Sequence, residues 1–143
     1  MDWSGNIGAF IGFSRRRDFI KDLEMTLRFI RIQNPGDLEK ERAVLRASTE
    51  IDIGRYTLFS CYAEENIPLS GPILKGFWFE DKIIKSGDLV VVYSKNGSAG
   101  EKVGRTGATS YFYYWESDEP IWTSGTIPVL LLSAGWDYGP AIK

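Results

Sequence analysis

The chain contains no histidine and a single cysteine. Without histidine there is no Ser-His-Asp or Cys-His catalytic arrangement, no imidazole metal ligand, and none of the commonest general base. One thiol, Cys61, rules out an intrachain disulfide and thiolate ligation of zinc or an iron–sulfur cluster within one chain. Lying in an apolar run, Cys61 reads as a small buried hydrophobe rather than a reactive group. No stretch approaches the roughly 18 consecutive apolar residues of a membrane helix. Met1-Asp2-Trp3-Ser4-Gly5 lacks the charged start and apolar core of a secretory signal. A cytoplasmic protein is therefore expected. The net charge of −2 supplies no general attraction to nucleic acid or to an anionic membrane. Long helix-forming runs and internal repeats are missing as well.

What is plentiful points toward β structure. Aromatic residues make up 14% of the chain and there are 15 glycines, which suits short strands joined by tight turns. The organising stretch runs from Gly76 to Ser94. Its end, Leu89-Val90-Val91-Val92-Tyr93, is unbroken apolar sequence between the turn residues Ser86-Gly87-Asp88 and Ser94-Lys95-Asn96-Gly97. A half-wet strand would alternate, so this one is expected to be buried on both faces.

Elsewhere the periodicity is more varied. Residues 1–18 hold Ile7 to Phe13, apolar but broken by glycine, and then Arg15-Arg16-Arg17. They read as an N-terminal arm or extra strand, with residues 19–143 forming the domain. The triple arginine is either a basic spot that could meet phosphate or simply a solvated turn or domain edge. From Asp22 to Phe29 polar and apolar residues alternate, and the phase slips at Phe29-Ile30, as at a β-bulge. Asn34-Pro35-Gly36-Asp37 is a turn. Leu38 to Ala47 fits a helix or a strand, the second half being taken as strand. Tyr56 to Tyr62 is a strand with Tyr56, Leu58 and Tyr62 on one side and Phe59 and Cys61 on the other. Glu64 to Gly76, with Pro68, Gly71 and Pro72, is a loop. Asn96 to Thr109 is glycine-rich and reads as an exposed, mobile loop. Val129 to Leu132 is a last strong strand, and Trp136-Asp137-Tyr138 could add a short terminal one. About seven short strands with turns every eight to twelve residues make an antiparallel β-sandwich.

Several pieces, in order, carry a family resemblance. Ile51-Asp52-Ile53-Gly54-Arg55-Tyr56-Thr57-Leu58 resembles the "apolar-Asp-Leu-Ser-Gly-Trp-x-Leu" segment of lamin-tail-like domains, with Tyr56 in place of tryptophan. Phe77-Trp78-Phe79 through Ile84 to Val92 resembles their "Phe-x-Phe … Leu-x-x-Gly-x-x-Val-x-Val" core, and Trp122 to Leu132 resembles their "Trp-x-x-Gly-Asp-x-Val-x-Leu" segment. Phe29 to Gly36 fits their opening "Glu-x-Ile-x-Leu-x-Asn-x-Gly". The resemblance spans roughly Leu27 to Leu132 and implies an immunoglobulin-like β-sandwich that serves in protein or nucleic-acid interaction. The chain departs from the pattern at Thr126, where the family carries a charge, and at Pro128, which implies a bulge or an edge. The family's final hairpin is cut short, and residues 1–22 have no counterpart.

Chemistry-bearing groups are sparse. Glu80 and Asp81 are adjacent, so on a strand they would point apart. Glu116 and Asp118 could share a face and hold calcium through oxygens, or form a solvated acidic loop. Gly100-Glu101-Lys102-Val103-Gly104-Arg105-Thr106 fails as a phosphate loop: three residues separate its glycines, arginine replaces lysine, and no helix follows. No cofactor and no metal site are expected.

The feature that stands out is Tyr111-Phe112-Tyr113-Tyr114-Trp115. Tyr111, Tyr113 and Trp115 fall on one face, Phe112 and Tyr114 on the other. One face should join the core, leaving the other to be covered by a loop, by residues 1–18, by a second chain or by a ligand. The expected function is thus a non-enzymatic interaction module that binds a protein partner or forms a homo-oligomer, with no membrane or nucleic-acid role. Its candidate binding residues are Tyr111, Tyr113, Tyr114, Trp115, Trp122, Lys102 and Arg105. The alternative is a small-molecule binder, in which Trp115 or Trp122 stacks on a nucleotide- or sugar-like ring and Lys102 or Arg105 meets its phosphate. A carboxylate enzyme using Glu116 and Asp118 is the third reading.

Overall fold

The computed structural model describes residues 25–143, so the expected N-terminal arm lies outside the described residues. Among the described residues eleven strands follow one another: β1 (Leu27–Gln33), β2 (Arg42–Ala47), β3 (Ile51–Asp52), β4 (Tyr56–Glu64), β5 (Ile67–Pro68), β6 (Lys75–Trp78), β7 (Ile83–Ile84), β8 (Leu89–Tyr93), β9 (Gly100–Val103), β10 (Thr109–Tyr114) and β11 (Thr126–Leu132). A 3₁₀ turn, Ile53–Arg55, stands between β3 and β4. Among the described residues no helix is long and apolar enough to cross a membrane.

The strands form a β-sandwich. One sheet has the order β9-β10-β8-β2-β1; the other is built on β4, with β11 along one edge and β6, then β5, along the other. β3 and β7 make a small two-stranded ribbon. Every pair is antiparallel except β8–β10, which is parallel. The excursion through β9 carries the chain back so that β10 can run alongside β8 in the same direction. Residues 96–109, expected to be a loop, therefore contain a strand. β9 is exposed at every position and is held by its ladder to β10 rather than by burial. Its sequence consequently lacks the apolar period that marks a strand.

Alternation explains the core. Leu27, Ala43, Leu45, Ala47, Val90, Val92 and Tyr113 point inward from the first sheet, Tyr56 and Leu58 from the second and Ile84 from β7, and Ile53, Phe79, Ile121 and Trp122 fill in from the connections. Leu130 and Leu132 pack against this cluster from β11. β8 is buried on both faces, because Val91 on the outward side is also buried. The phase slip in β1 is a bulge between Phe29 and Arg31, and the Asn34–Asp37 turn places Asn34 and Gly36 at positive φ. Trp136-Asp137-Tyr138 forms no strand.

Buried carboxylates fasten the connections. Asp88 accepts the Lys85 N–H (2.8 Å) and the Thr109 N–H (2.9 Å), tying the start of β8 to the start of β10. Glu41 is fully buried just before β2. Its Oε1 accepts the Gly36 N–H at 2.8 Å, and its Oε2 accepts the N–H groups of Ile121 (2.7 Å) and Trp122 (3.2 Å) and the Ser94 hydroxyl. Four donors converge on one side chain, joining the β1–β2 turn, the end of β8 and the segment before β11. The Tyr56 hydroxyl accepts the N–H groups of Thr26 and Leu27 across the sandwich.

Candidate interaction surface

The two faces of the aromatic run have different surroundings. Tyr113 lies in the core, and Tyr111 and Trp115 pack against it. Tyr113 stands 5.7 Å from Phe79 and 6.1 Å from Phe77, measured between ring centroids; Trp115 is 5.7 Å from Phe77 and 5.9 Å from Trp122. The Tyr113 hydroxyl donates to Glu80 Oε2 at 2.8 Å. Burial, and then the Glu80 carboxylate, push its pKa well above the ordinary phenol range. Trp122 is 3% exposed, so its indole offers no open face on which a ligand ring could stack.

Phe112 and Tyr114 face outward. Tyr114 stacks on Tyr93 with centroids 5.4 Å apart and planes 12° apart, and Phe112 lies 6.4 Å from Tyr93. The Arg42 guanidinium (5.5 Å) and Lys95 Nζ (5.4 Å) sit over the Tyr93 ring, a favourable cation–π arrangement. The loop after β8 closes on Tyr114 so tightly that a Cβ at Gly97 would run into its ring. Lys102 and Arg105 are exposed on the β9–β10 hairpin. Lys82 also approaches the aromatic run, its Nζ lying 5.2 Å from the Tyr111 ring. Among the described residues no three His, Cys, Asp or Glu side chains are grouped to hold a metal ion.

Exposed apolar residues also lie on and beside the other sheet. Tyr56, Leu58, Leu130 and Leu132 point inward there, so alternation turns Thr57, Phe59 and Cys61 of β4 and Ile127, Val129 and Leu131 of β11 outward. The register aligns them in rows across the strands, Leu131–Thr57–Trp78 and Val129–Phe59–Gly76. A Cβ on Gly76 would touch the Phe59 ring at 3.0 Å, so the ring lies directly over the glycine. Cys61 is buried at this sheet, and burial raises the pKa of its thiol.

Trp78 (56% exposed) and Trp136 (67% exposed) meet edge to face at 5.1 Å, and Tyr138 continues the cluster 5.9 Å from Trp136. The Trp78 Nε1–H donates to the Gly54 carbonyl at 3.1 Å, which fixes the exposed ring. Gly54 is itself required, because an added Cβ would meet the Asp81 carboxylate and lie 2.8 Å from the Asp81 Cα. A cleft of about 320 Å³ runs beside the two indoles, lined also by Arg55, Asp81 and Ser133.

Sequence reasoning passed over this surface. Its signal was the alternation in Phe77-Trp78-Phe79: with both phenylalanines inward, Trp78 must face out. Trp136 carried no such signal, since it lies in irregular chain. Compared with known proteins, the chain matches no family model, and no curated protein is significantly similar to it.

Proposed function

We propose that the chain is a non-enzymatic interaction module that binds protein, whether a different polypeptide or a second copy of itself, through the outward side of the β11–β4–β6 sheet. The observation that carries this reading is the exposure of Trp78, Leu131, Trp136 and Tyr138 on and beside one sheet. Large apolar residues grouped on a surface mark binding sites, and tryptophan and tyrosine dominate the energetics of interfaces. The hydrogen bond from Trp78 to Gly54 holds one indole in place, which lowers the side-chain entropy lost on docking. The β-sandwich is also the architecture implied by the lamin-tail-like resemblance, a family that serves mostly in interaction.

The cleft beside Trp78 favours a second reading, a small-molecule binder. Arg55 and Asp81 could hydrogen-bond a sugar- or nucleotide-like ligand stacked on the indoles.

Native mass spectrometry of the gently purified protein separates the two. Added polypeptide mass that disappears on Trp78→Ser/Trp136→Ser supports the interaction module. Added mass of a few hundred daltons, lost on Arg55→Ala, supports the binder instead. A bare monomer under all conditions refutes both.

A further inference from the structure

We propose that β11 is a self-association edge, on which a second copy of this chain lays its own β11 antiparallel about a two-fold axis near Val129 and Leu130. The inference rests on the interaction-module reading and names the partner.

β11 has β4 on one side and, among the described residues, no strand on the other. Two hydrogen bonds bracket its ladder to β4: Ala63 N–H to Gly125 O at 3.0 Å, and Ser133 N–H to Arg55 O at 2.8 Å. In an antiparallel pair, residues that exchange hydrogen bonds with the partner alternate with residues whose backbone groups point away. Ile127, Val129 and Leu131 therefore bond to β4. Thr126, Pro128, Leu130 and Leu132 direct their backbone groups toward the open edge.

Pro128 falls at one of these outward positions, so its missing N–H removes nothing from the β4 ladder. The Thr126 N–H turns back to the Thr123 carbonyl at 3.1 Å. The open edge is left with the N–H groups of Leu130 and Leu132 as donors and the carbonyls of Pro128, Leu130 and Leu132 among its acceptors. An antiparallel copy centred at Val129 or Leu130 gives both donors of each chain a carbonyl. It sets Pro128 where only an acceptor is needed. The strand is its own complement.

The other edges longer than two residues are guarded against such pairing. β1 carries Arg28, Arg31 and a bulge, β9 carries Glu101 and Lys102, and β6 opens on Lys75. Charges and bulges at edges are the usual protection against strand addition. β11, Thr-Ile-Pro-Val-Leu-Leu-Leu, has no charge at all. Among the described residues the remaining uncharged edges, β5 and β7, are two residues long, too short to hold a second copy; pairing about a two-fold axis on β11 closes at two copies instead of running on as a fibre. A neutral strand also presents nothing that requires a partner of opposite charge, so an identical strand suffices.

The test uses the full chain. Sedimentation should show a dimer. Hydrogen exchange should show the Leu130 and Leu132 amides protected when concentrated and exchanging on dilution, while those of Val129 and Leu131 stay protected throughout. Val129→Lys/Leu131→Lys sets like charges against each other across the axis and should weaken the dimer about tenfold or more. Val129→Glu/Leu131→Glu should do the same, and mixing the two variants should restore the dimer, which excludes misfolding as the cause. Protection of Leu130 and Leu132 that ignores dilution would mean that the same chain covers this edge, and would overturn the proposal. So would mixed variants that stay monomeric. A monomer that nevertheless holds a different polypeptide through Trp78 and Trp136 would refute this inference and leave the interaction module standing.

Discussion

Replacing Glu41 should be among the most damaging changes outside the apolar core. Its carboxylate is fully buried and accepts four hydrogen bonds, three from backbone amides and one from Ser94, with no cation among its partners in the described residues. Glu41→Ala leaves those donors unpaired where water does not reach. Each orphaned buried group costs about 1–3 kcal/mol. Some of the four will find substitutes, so a net loss of about 4 kcal/mol is expected, a large part of the 5–15 kcal/mol typical of a folded domain. Glu41→Gln discriminates the cause. Three of the donors sit on Oε2 and only Gly36 sits on Oε1, so the amide can keep its oxygen toward the three and turn its NH₂ toward Gly36. It then loses one bond and the charge assistance of the others, or about 2 kcal/mol. Urea unfolding at neutral pH measures both. A Glu41→Ala variant within about 1 kcal/mol of the wild type, or a Gln variant as unstable as the Ala, would refute the account.

Three further outcomes are expected. Ser60→Ala should leave stability unchanged or raise it, because the buried Ser60 hydroxyl has no hydrogen-bond partner among the described residues, whereas Ser94→Ala should lower it by about 1–2 kcal/mol through Glu41; paired denaturation curves decide. Gly54→Ala should destabilise by about 1–3 kcal/mol and change the tryptophan emission, since the new methyl displaces Asp81 and disturbs the carbonyl that Trp78 bonds. Tyr113 holds its proton more tightly folded than unfolded, so its contribution is whole below about pH 10 and declines above it by about 1.4 kcal/mol per pH unit. Tyr113→Phe should flatten that alkaline decline in a pH series of unfolding midpoints; an unchanged slope would mean that other groups set it.

How much could be read in the sequence depended on whether side-chain period or long-range pairing fixed each element. The continuous apolar run of β8, the phase slip in β1 and the misplaced proline of β11 are local signals, and each has its structural counterpart: a strand buried on both sides, a bulge and an edge. β9 gave no signal because the β10 ladder alone holds it. Glu41 was passed over for a related reason. Its donors lie up to 81 residues away, so nothing near it in sequence marks it as buried. The aromatic run showed which residues share a face, but not that the face of Tyr113 would be the inward one. Trp78 was legible from its neighbours; its meeting with Trp136 was not.

The pairing of β4 with β11 has a consequence for the order of folding. Tyr56 joins Leu132 and Tyr62 joins Thr126, so this ladder closes loops of more than sixty residues. β6 reaches the other edge of β4 much sooner, through Thr57–Trp78. On a ribosome β4 therefore waits for more than sixty further residues with one side of its backbone unsatisfied. Closure of such distant contacts is slow, and the nascent chain is open to intrusion by any extended segment until residue 132 has emerged.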